Sequence, residues 1–336
     1  MTFRTADGAS YEGRDESGNE TFRVSIPSDE HGYFGRECPA CQQIFRMHLD
    51  DYKALPDDLI LTCPYCGHQE EHTSFVTSQQ QERVMRVAQD AAMQLISEAF
   101  GGLGRSGRSN KFVKITYRST PFYPQPLPDL DEERLVRERT CVTCGIRYAV
   151  FGEHSFCPVS GALDAGEVAR DALGAEAAKL SALDSIPGPQ RAALREQGVF
   201  DRIAVDTLSR VVGVIERLAR AEFERRVEPA GQLLKGKGNV FQRLDDLADL
   251  YSAHLDIDPR LVPDVDWVLL AKLWATRHAH VHAGGLVDTK YLQVVNYSSL
   301  KVGQRIVVTA DDARNAIGQA MILCSILAGQ DASDLA

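Results

Sequence analysis

Apolar residues follow two different rhythms along this chain. Up to about residue 75 they come in short, strand-length runs broken by Gly, Pro and polar pairs, after a polar lead-in over residues 1–24. From Ser78 to about Phe100 the rhythm becomes helical, with Val84, Val87, Ala88, Ala91, Leu95 and Ile96 recurring three to four apart. A Gly/Ser stretch follows at 101–110 and leads into the strand-like Phe112-Val-Lys-Ile-Thr-Tyr117. The prolines at 121, 124, 126 and 128 disfavour any regular element. Beyond Gly161 the pattern is helical almost throughout. It predicts helices near 163–183, 188–197, 207–226, 240–254, 264–283 and 311–328. Asp264 is the expected cap of the fifth of these, Gly284-Gly285 its stop, and Arg305-Ile-Val-Val-Thr-Ala310 a short strand before the last.

The fold class expected from this is α+β and mainly helical, with small N-terminal modules followed by a C-terminal helical bundle. The boundaries read as 1–77, 78–139, 140–161, 162–204 (a helical linker) and 205–336. A chain of 336 residues with 44% hydrophobic and 25% charged residues has ordinary globular composition. No run approaches the ~20 apolar residues of a membrane span, and the N-terminus has no apolar signal core. A cytoplasmic protein with no membrane partner is therefore expected. The net charge of −10 argues against general nucleic-acid binding and confines any such site to a local basic patch.

The cysteines sharpen the picture of the first two modules. Cys38-Pro-Ala-Cys41 and Cys63-Pro-Tyr-Cys66-Gly67 are two knuckles, each a tight turn that presents a pair of thiolates. Together they supply the four soft ligands of a tetrahedral structural zinc. A site closed by four cysteines leaves no coordination position for catalysis. His48, His68 and His72 are spare imidazoles read as surface residues.

A second frame begins with Cys141-Val-Thr-Cys144-Gly145 and continues, after 12 intervening residues, with Cys157-Pro-Val-Ser160-Gly161. Ser160 stands where a fourth cysteine would be, and a neutral hydroxyl is a poor zinc ligand. Two readings stay open: His154 completes a site of three cysteines and one histidine, or the ribbon has lost its metal and is held by Tyr148, Phe151 and Phe156.

The segment from Leu273 to Leu292 puts Arg277, His278, His280 and His282 on an otherwise apolar helix. Three readings compete. His278 and His282, four apart, could clamp a metal, although the helix offers no nearby acidic third ligand. The histidines could be satisfied at an interface. Or Arg277 and His282 could act on a phosphodiester, the guanidinium forking onto phosphate oxygens while imidazole moves the proton of a ribose hydroxyl.

Arg277, the polar His278 beside it, and His282 resemble the R-x4-6-H signature of HEPN domains. The tail Val281-His282, Gly285, Val287, Asp288 and Tyr291 fits the pattern that follows it in that family. The chain also resembles an uncharacterised bacterial group that joins a P-S-D-E-x-G-Y-x-G-R-E-C-P-x-C segment, here Pro27 to Cys41, to a HEPN-like end. The resemblance implies a helical bundle over roughly 205–330 and a homodimer whose two motifs share one cleft. It implies a metal-independent endoribonuclease of toxin or antiviral-defence type, with Arg277, His282 and His278 at the catalytic places. Residues five apart on a helix diverge by about 140°, and the dimer would resolve that divergence. The alternative is a catalytically silent HEPN-like scaffold whose ribbons bind nucleic acid or a partner protein. An active ribonuclease would need restraint, so a regulatory protein partner is also expected.

RNA, the partner the first reading requires, has one candidate surface in Arg105, Arg108, Lys111, Lys114 and Arg118, with Phe112 and Tyr117 interleaved and no acid among them. A solvated loop would have the same composition.

Overall fold

The computed structural model describes residues 3–103, 122–130, 137–296 and 299–329. The five cations between 105 and 118 lie outside the described residues. The described chain is α+β and about half helical, with ten α-helices and small antiparallel sheets. It divides into two compact units, Met1–Ala162 and Leu163–Ala336.

In the first unit β1 (Ala9–Arg14) and β2 (Glu20–Val24) form a hairpin whose register shifts between Tyr11 and Gly13. Phe3, Tyr11 and Phe22 meet edge-on or tilted against it, with centroids 4.9–5.3 Å apart. Next come β3 (Tyr33–Glu37), β4 (Ile44–His48), α1 (Leu49–Lys53), β5 (Ile60–Thr62), β6 (Gln69–Glu71) and the long α2 (Ser78–Leu103). The unit ends with β7 (Arg137–Thr140), β8 (Arg147–Val150), β9 (Phe156–Cys157) and β10 (Gly161–Ala162).

One four-stranded sheet, ordered β3-β4-β8-β7, unites strands from both cysteine-bearing regions. Arg46 pairs with Ala149 and Met47 with Tyr148 across its centre. Phe45, Met47 and Tyr148 are fully buried beneath it. Arg36 is buried because its guanidinium lies over the Phe34 and Tyr52 rings at 4.8 and 4.6 Å. Arg46 is buried against Asp29 at 2.7 Å. On α2 the helical rhythm is real, yet among its described apolar residues only Val87 and Ala91 are buried, while Val84, Leu95 and Ile96 stay exposed. The helix is fastened instead by polar bonds. Gln94 receives the Arg4 amide at 2.8 Å and donates to the Arg4 carbonyl, while Gln80 donates to the Gly35 carbonyl.

The second unit comprises α3 (Ala165–Asp184), α4 (Gly188–Glu196), α5 (Val199–Arg226), α6 (Ala230–Leu234), α7 (Leu244–Leu255), α8 (Trp267–His282), α9 (Thr289–Val294) and α10 (Ala310–Ala328). Its axis is α5, which buries Leu208, Val211, Val212, Ile215, Leu218, Ala219 and Phe223 at helical spacing. α3 and α10 pack on α5, and Ala169, Leu173 and Leu180 belong to the same core. The stretch read as a linker over 162–204 is thus corrected: its apolar face needs burial, and α5 offers the partner. Phe223, Phe241 and Tyr251 form the aromatic centre, and the Tyr251 hydroxyl donates to the Ala219 carbonyl at 2.8 Å.

α5 begins at Val199, eight residues before the expected start, because Gly198 takes the left-handed conformation (φ +68°) and lets the chain turn directly from α4. α8 is capped by Asp266, which accepts from the Leu269 amide, and not by Asp264. The residues 305–310 form no strand; only a single bridge links Leu286 to Arg305. α10 starts with a reciprocal capping box between Thr309 and Asp312.

Candidate functional site

The first cysteine cluster is built from two turns. Cys38 and Cys41 lie between β3 and β4, with the Gln42 amide donating to the Cys38 carbonyl and the Cys38 amide to the Gln43 carbonyl. Cys63 and Cys66 lie between β5 and β6 on the same pattern, closed by Gly67 at φ +73°. A Cβ on Gly67 would stand 2.7 Å from the Phe156 ring, so glycine serves both the turn and the packing. The four Sγ atoms lie within 4.8 Å of one another, with Cys38–Cys66 at 3.8 Å and Cys41–Cys63 at 3.7 Å. Burial pushes the Cys63 thiol well above its ordinary value and the Cys41 thiol up as well. A bound dication would reverse this by holding all four as thiolates. The chemistry and spacing of this donor set fit zinc in a ribbon-like module.

None of the nearby imidazoles joins it. His68 pairs with Glu70 at 3.0 Å, and His72 bonds the Tyr52 hydroxyl and the Asp57 carbonyl. His48, expected at the surface, is buried with its ring edge-on to Tyr33.

The second cluster brings together Cys141, Cys144 and Cys157, again with all sulfurs within 4.8 Å. Cys144 and Cys157 are 3.7 Å apart. The fourth corner differs from the sequence expectation. The ring nitrogens of His154 do not join the group, because His154 is buried and its Nε2 bonds the Tyr148 hydroxyl at 2.9 Å. Ser160 Oγ stands there instead, 3.3 Å from Cys141 Sγ. Burial pushes the Cys157 thiol up to about 12. Burial acts on Cys141 in the same sense, but the Ser160 hydroxyl and the Thr143 and Cys144 amides outweigh it and bring that thiol down to about 7. The two clusters share one frame: the Thr62 amide donates to the Pro158 carbonyl, and the Ser155 and Phe156 amides donate to the Pro64 carbonyl.

In the second unit the Arg-His segment forms the C-terminal end of α8. His278 and His282 are exposed, one helical turn apart, with ring centroids 4.6 Å from each other. Arg277 is half-buried, since it continues the Leu270–Leu273–Trp274 stripe of the helix. Among the described residues its Nε is buried with no hydrogen-bond partner. The histidine left out of the motif, His280, faces a different environment. It lines an open cleft of about 560 Å³ with Gly284, Arg305, Arg202, Asp201 and Asp206. Burial, then the positive charge of Arg305, lowers its pKa, against a hydrogen bond to the Ile306 backbone that raises it.

The motif tail has plain structural work. Gly284 and Gly285 end α8 at φ +61° and +79°, and a Cβ on Gly285 would meet the His280 ring at 2.7 Å. Asp288 caps α9 by accepting from the Tyr291 amide at 2.7 Å, and Val287 and Tyr291 are buried. Trp267 and Trp274 anchor α8 through Asp245 and the Gln242 carbonyl. Cys324 is a buried thiol pushed up to about 12 by burial alone.

No family model matches the chain, and neither a curated protein nor a solved structure does. Among the described residues no helix is long and apolar enough to cross a membrane.

Proposed function

We propose that this protein is a metal-independent endoribonuclease of the HEPN type, acting as a homodimer, with the cysteine clusters as structural zinc modules. The observation that carries the reading is the composition of one helix end. Two exposed imidazoles, with ring centroids 4.6 Å apart, share one helix end with a guanidinium whose buried Nε has no hydrogen-bond partner among the described residues.

The chemistry follows from these groups. Imidazole accepts the proton of a ribose 2′-hydroxyl, and the resulting oxygen attacks the adjacent phosphorus. The P–O5′ bond breaks, the leaving 5′-oxygen takes a proton from a second imidazole, and a 2′,3′-cyclic phosphate remains. Arginine offsets the charge that develops on the phosphate oxygens. On a helical wheel His278 and His282 are about 40° apart, whereas Arg277 is about 100° from the nearer one. One protomer therefore offers a histidine pair with its arginine turned aside, and a two-fold mate supplies an arginine from the opposite side. Val268, exposed, precedes His278 and His282 on the same face, with the half-buried Ala271 and Ala275 between them, and that face is where such a mate would approach.

The alternative is a silent scaffold, and the buried Nε of Arg277 is what favours it. The test is incubation of RNA with the purified protein in excess EDTA. Wild type is expected to cleave and to leave cyclic phosphate ends, while Arg277→Ala and His282→Ala are expected to lose at least about 100-fold in rate. Equal activity in wild type and both variants would reject the assignment, and the absence of any cleavage would leave the scaffold as the better reading.

A further inference from the structure

We infer that the second cysteine cluster is a metal site whose fourth ligand is the hydroxyl of Ser160, and that it holds its ion less tightly than the first.

The argument begins with the edges of a tetrahedron. With zinc–sulfur bonds of about 2.3 Å, two sulfurs on one ion lie about 3.8 Å apart; a sulfur and an oxygen, with the oxygen about 2.0–2.2 Å from the ion, lie about 3.5–3.7 Å apart. The first cluster shows 3.8 and 3.7 Å between its cross-turn sulfur pairs. The second shows 3.7 Å between Cys144 and Cys157 and 3.3 Å between Cys141 and Ser160. The sulfur pair has the same edge as in the first cluster, and the mixed pair is shorter than the sulfur pair, the direction in which an oxygen donor differs from a sulfur.

The backbone agrees with this placement. Cys63-Pro-Tyr-Cys66-Gly67 and Cys157-Pro-Val-Ser160-Gly161 are the same frame, and the closing glycines adopt φ +73° and +80°. Ser160 thus occupies the place that Cys66 has in the first site. His154, the other candidate, holds the Tyr148 hydroxyl at 2.9 Å and lies outside the group of donors. Cys141 and Cys157 are 1% and 0% exposed, so two of the three sulfurs have no access to bulk water.

Three thiolates and a neutral hydroxyl leave a zinc complex with one negative charge, where four thiolates leave two. The hydroxyl is the weakest of the four donors and the first to dissociate. The second ion is therefore the exchangeable one, and the position that Ser160 vacates is open to an incoming ligand.

The test uses the full chain, with metal content measured after graded chelation and the metal environment read by X-ray absorption and by the visible bands of the cobalt-substituted protein. Wild type is expected to hold two ions that leave in two steps, with one oxygen in the eight-donor average. Ser160→Cys is expected to tighten the weaker site by about 10- to 100-fold and convert its spectrum to that of the first, whereas Ser160→Ala loosens it by a similar factor and leaves the first unchanged. Circular dichroism of each variant confirms that it is folded. A Ser160→Ala protein with unaltered affinity and spectrum overturns the inference. So does loss of the second ion in His154→Ala with retention in Ser160→Ala, or a wild type that binds one ion only in excess zinc.

Discussion

Replacing Gly285 with alanine isolates a contact that holds the end of α8 in shape. Two penalties combine there. Gly285 sits at φ +79°, where an L-residue costs about 1–2 kcal/mol. Its new Cβ would also stand 2.7 Å from Cε1 and 2.8 Å from Nδ1 of His280, so the ring must retreat by several tenths of an ångström. Forcing the ring off its rotamer costs about 0.5–1.5 kcal/mol more. The expected total is about 1.5–3.5 kcal/mol. Gly284 is the internal control, since it too has positive φ (+61°) but nothing within 4 Å of the place a methyl would take; Gly284→Ala should cost only the backbone share, about 1–2 kcal/mol. In a His280→Ala background Gly285→Ala should fall to that same share, giving a coupling energy of about 0.5–1.5 kcal/mol. The assay is urea unfolding followed by tryptophan fluorescence. Both tryptophans of the chain, Trp267 and Trp274, lie on α8 and report this unit. Equal losses for the two glycines, or additivity of Gly285→Ala and His280→Ala within about 0.5 kcal/mol, would refute the steric account.

Two further outcomes are expected. His280 has a lowered pKa in the fold, through burial and Arg305, so the unfolded chain binds its proton more readily; stability should be complete above about pH 6.5 and decline as pH falls below it, with a shallower decline in His280→Asn, measured as the thermal midpoint by tryptophan fluorescence. In Cys63→Ser the first metal should be lost, and because a structural zinc contributes on the order of 10 kcal/mol, limited proteolysis should cut within residues 33–75, which the wild type protects; a protected, metal-free variant would refute the structural role.

The first cysteine cluster is legible in the sequence because its thiols come from two local turns, each with its own Cys-x-x-Cys spacing. The helical elements were legible for a similar reason, since period and glycine stops are local signals, as at α8 and Gly284-Gly285. What the sequence could not show was long-range competition for a partner. His154 looked like the fourth ligand of the second cluster by spacing alone, but the hydroxyl of Tyr148 claims it, and Ser160 fills the corner. Frame equivalence with Cys66 was the available signal, outweighed by the chemical preference for imidazole over hydroxyl. His280 falls outside the R-x4-6-H pattern, and only the fold brings Arg305 beside it. The linker reading of 162–204 failed because the apolar face of α3 finds its match on α5 and α10, far along the chain.

The central pairing of β4 with β8 carries a consequence for the protein during its own synthesis. Arg46 and Ala149 are partners, yet about a hundred residues separate them. At a ribosomal pace of about 5–20 residues per second, β4 waits on the order of 5–20 s for the strand that covers it. Throughout that interval Phe45 and Met47, both fully enclosed in the finished sheet, face water or a chaperone. The first cysteine cluster needs only the chain up to Cys66, so metal capture can pin β3 and β4 together long before their third strand emerges. A nascent chain starved of zinc would lose that early clamp and present a sticky, half-built sheet edge to its neighbours on the polysome.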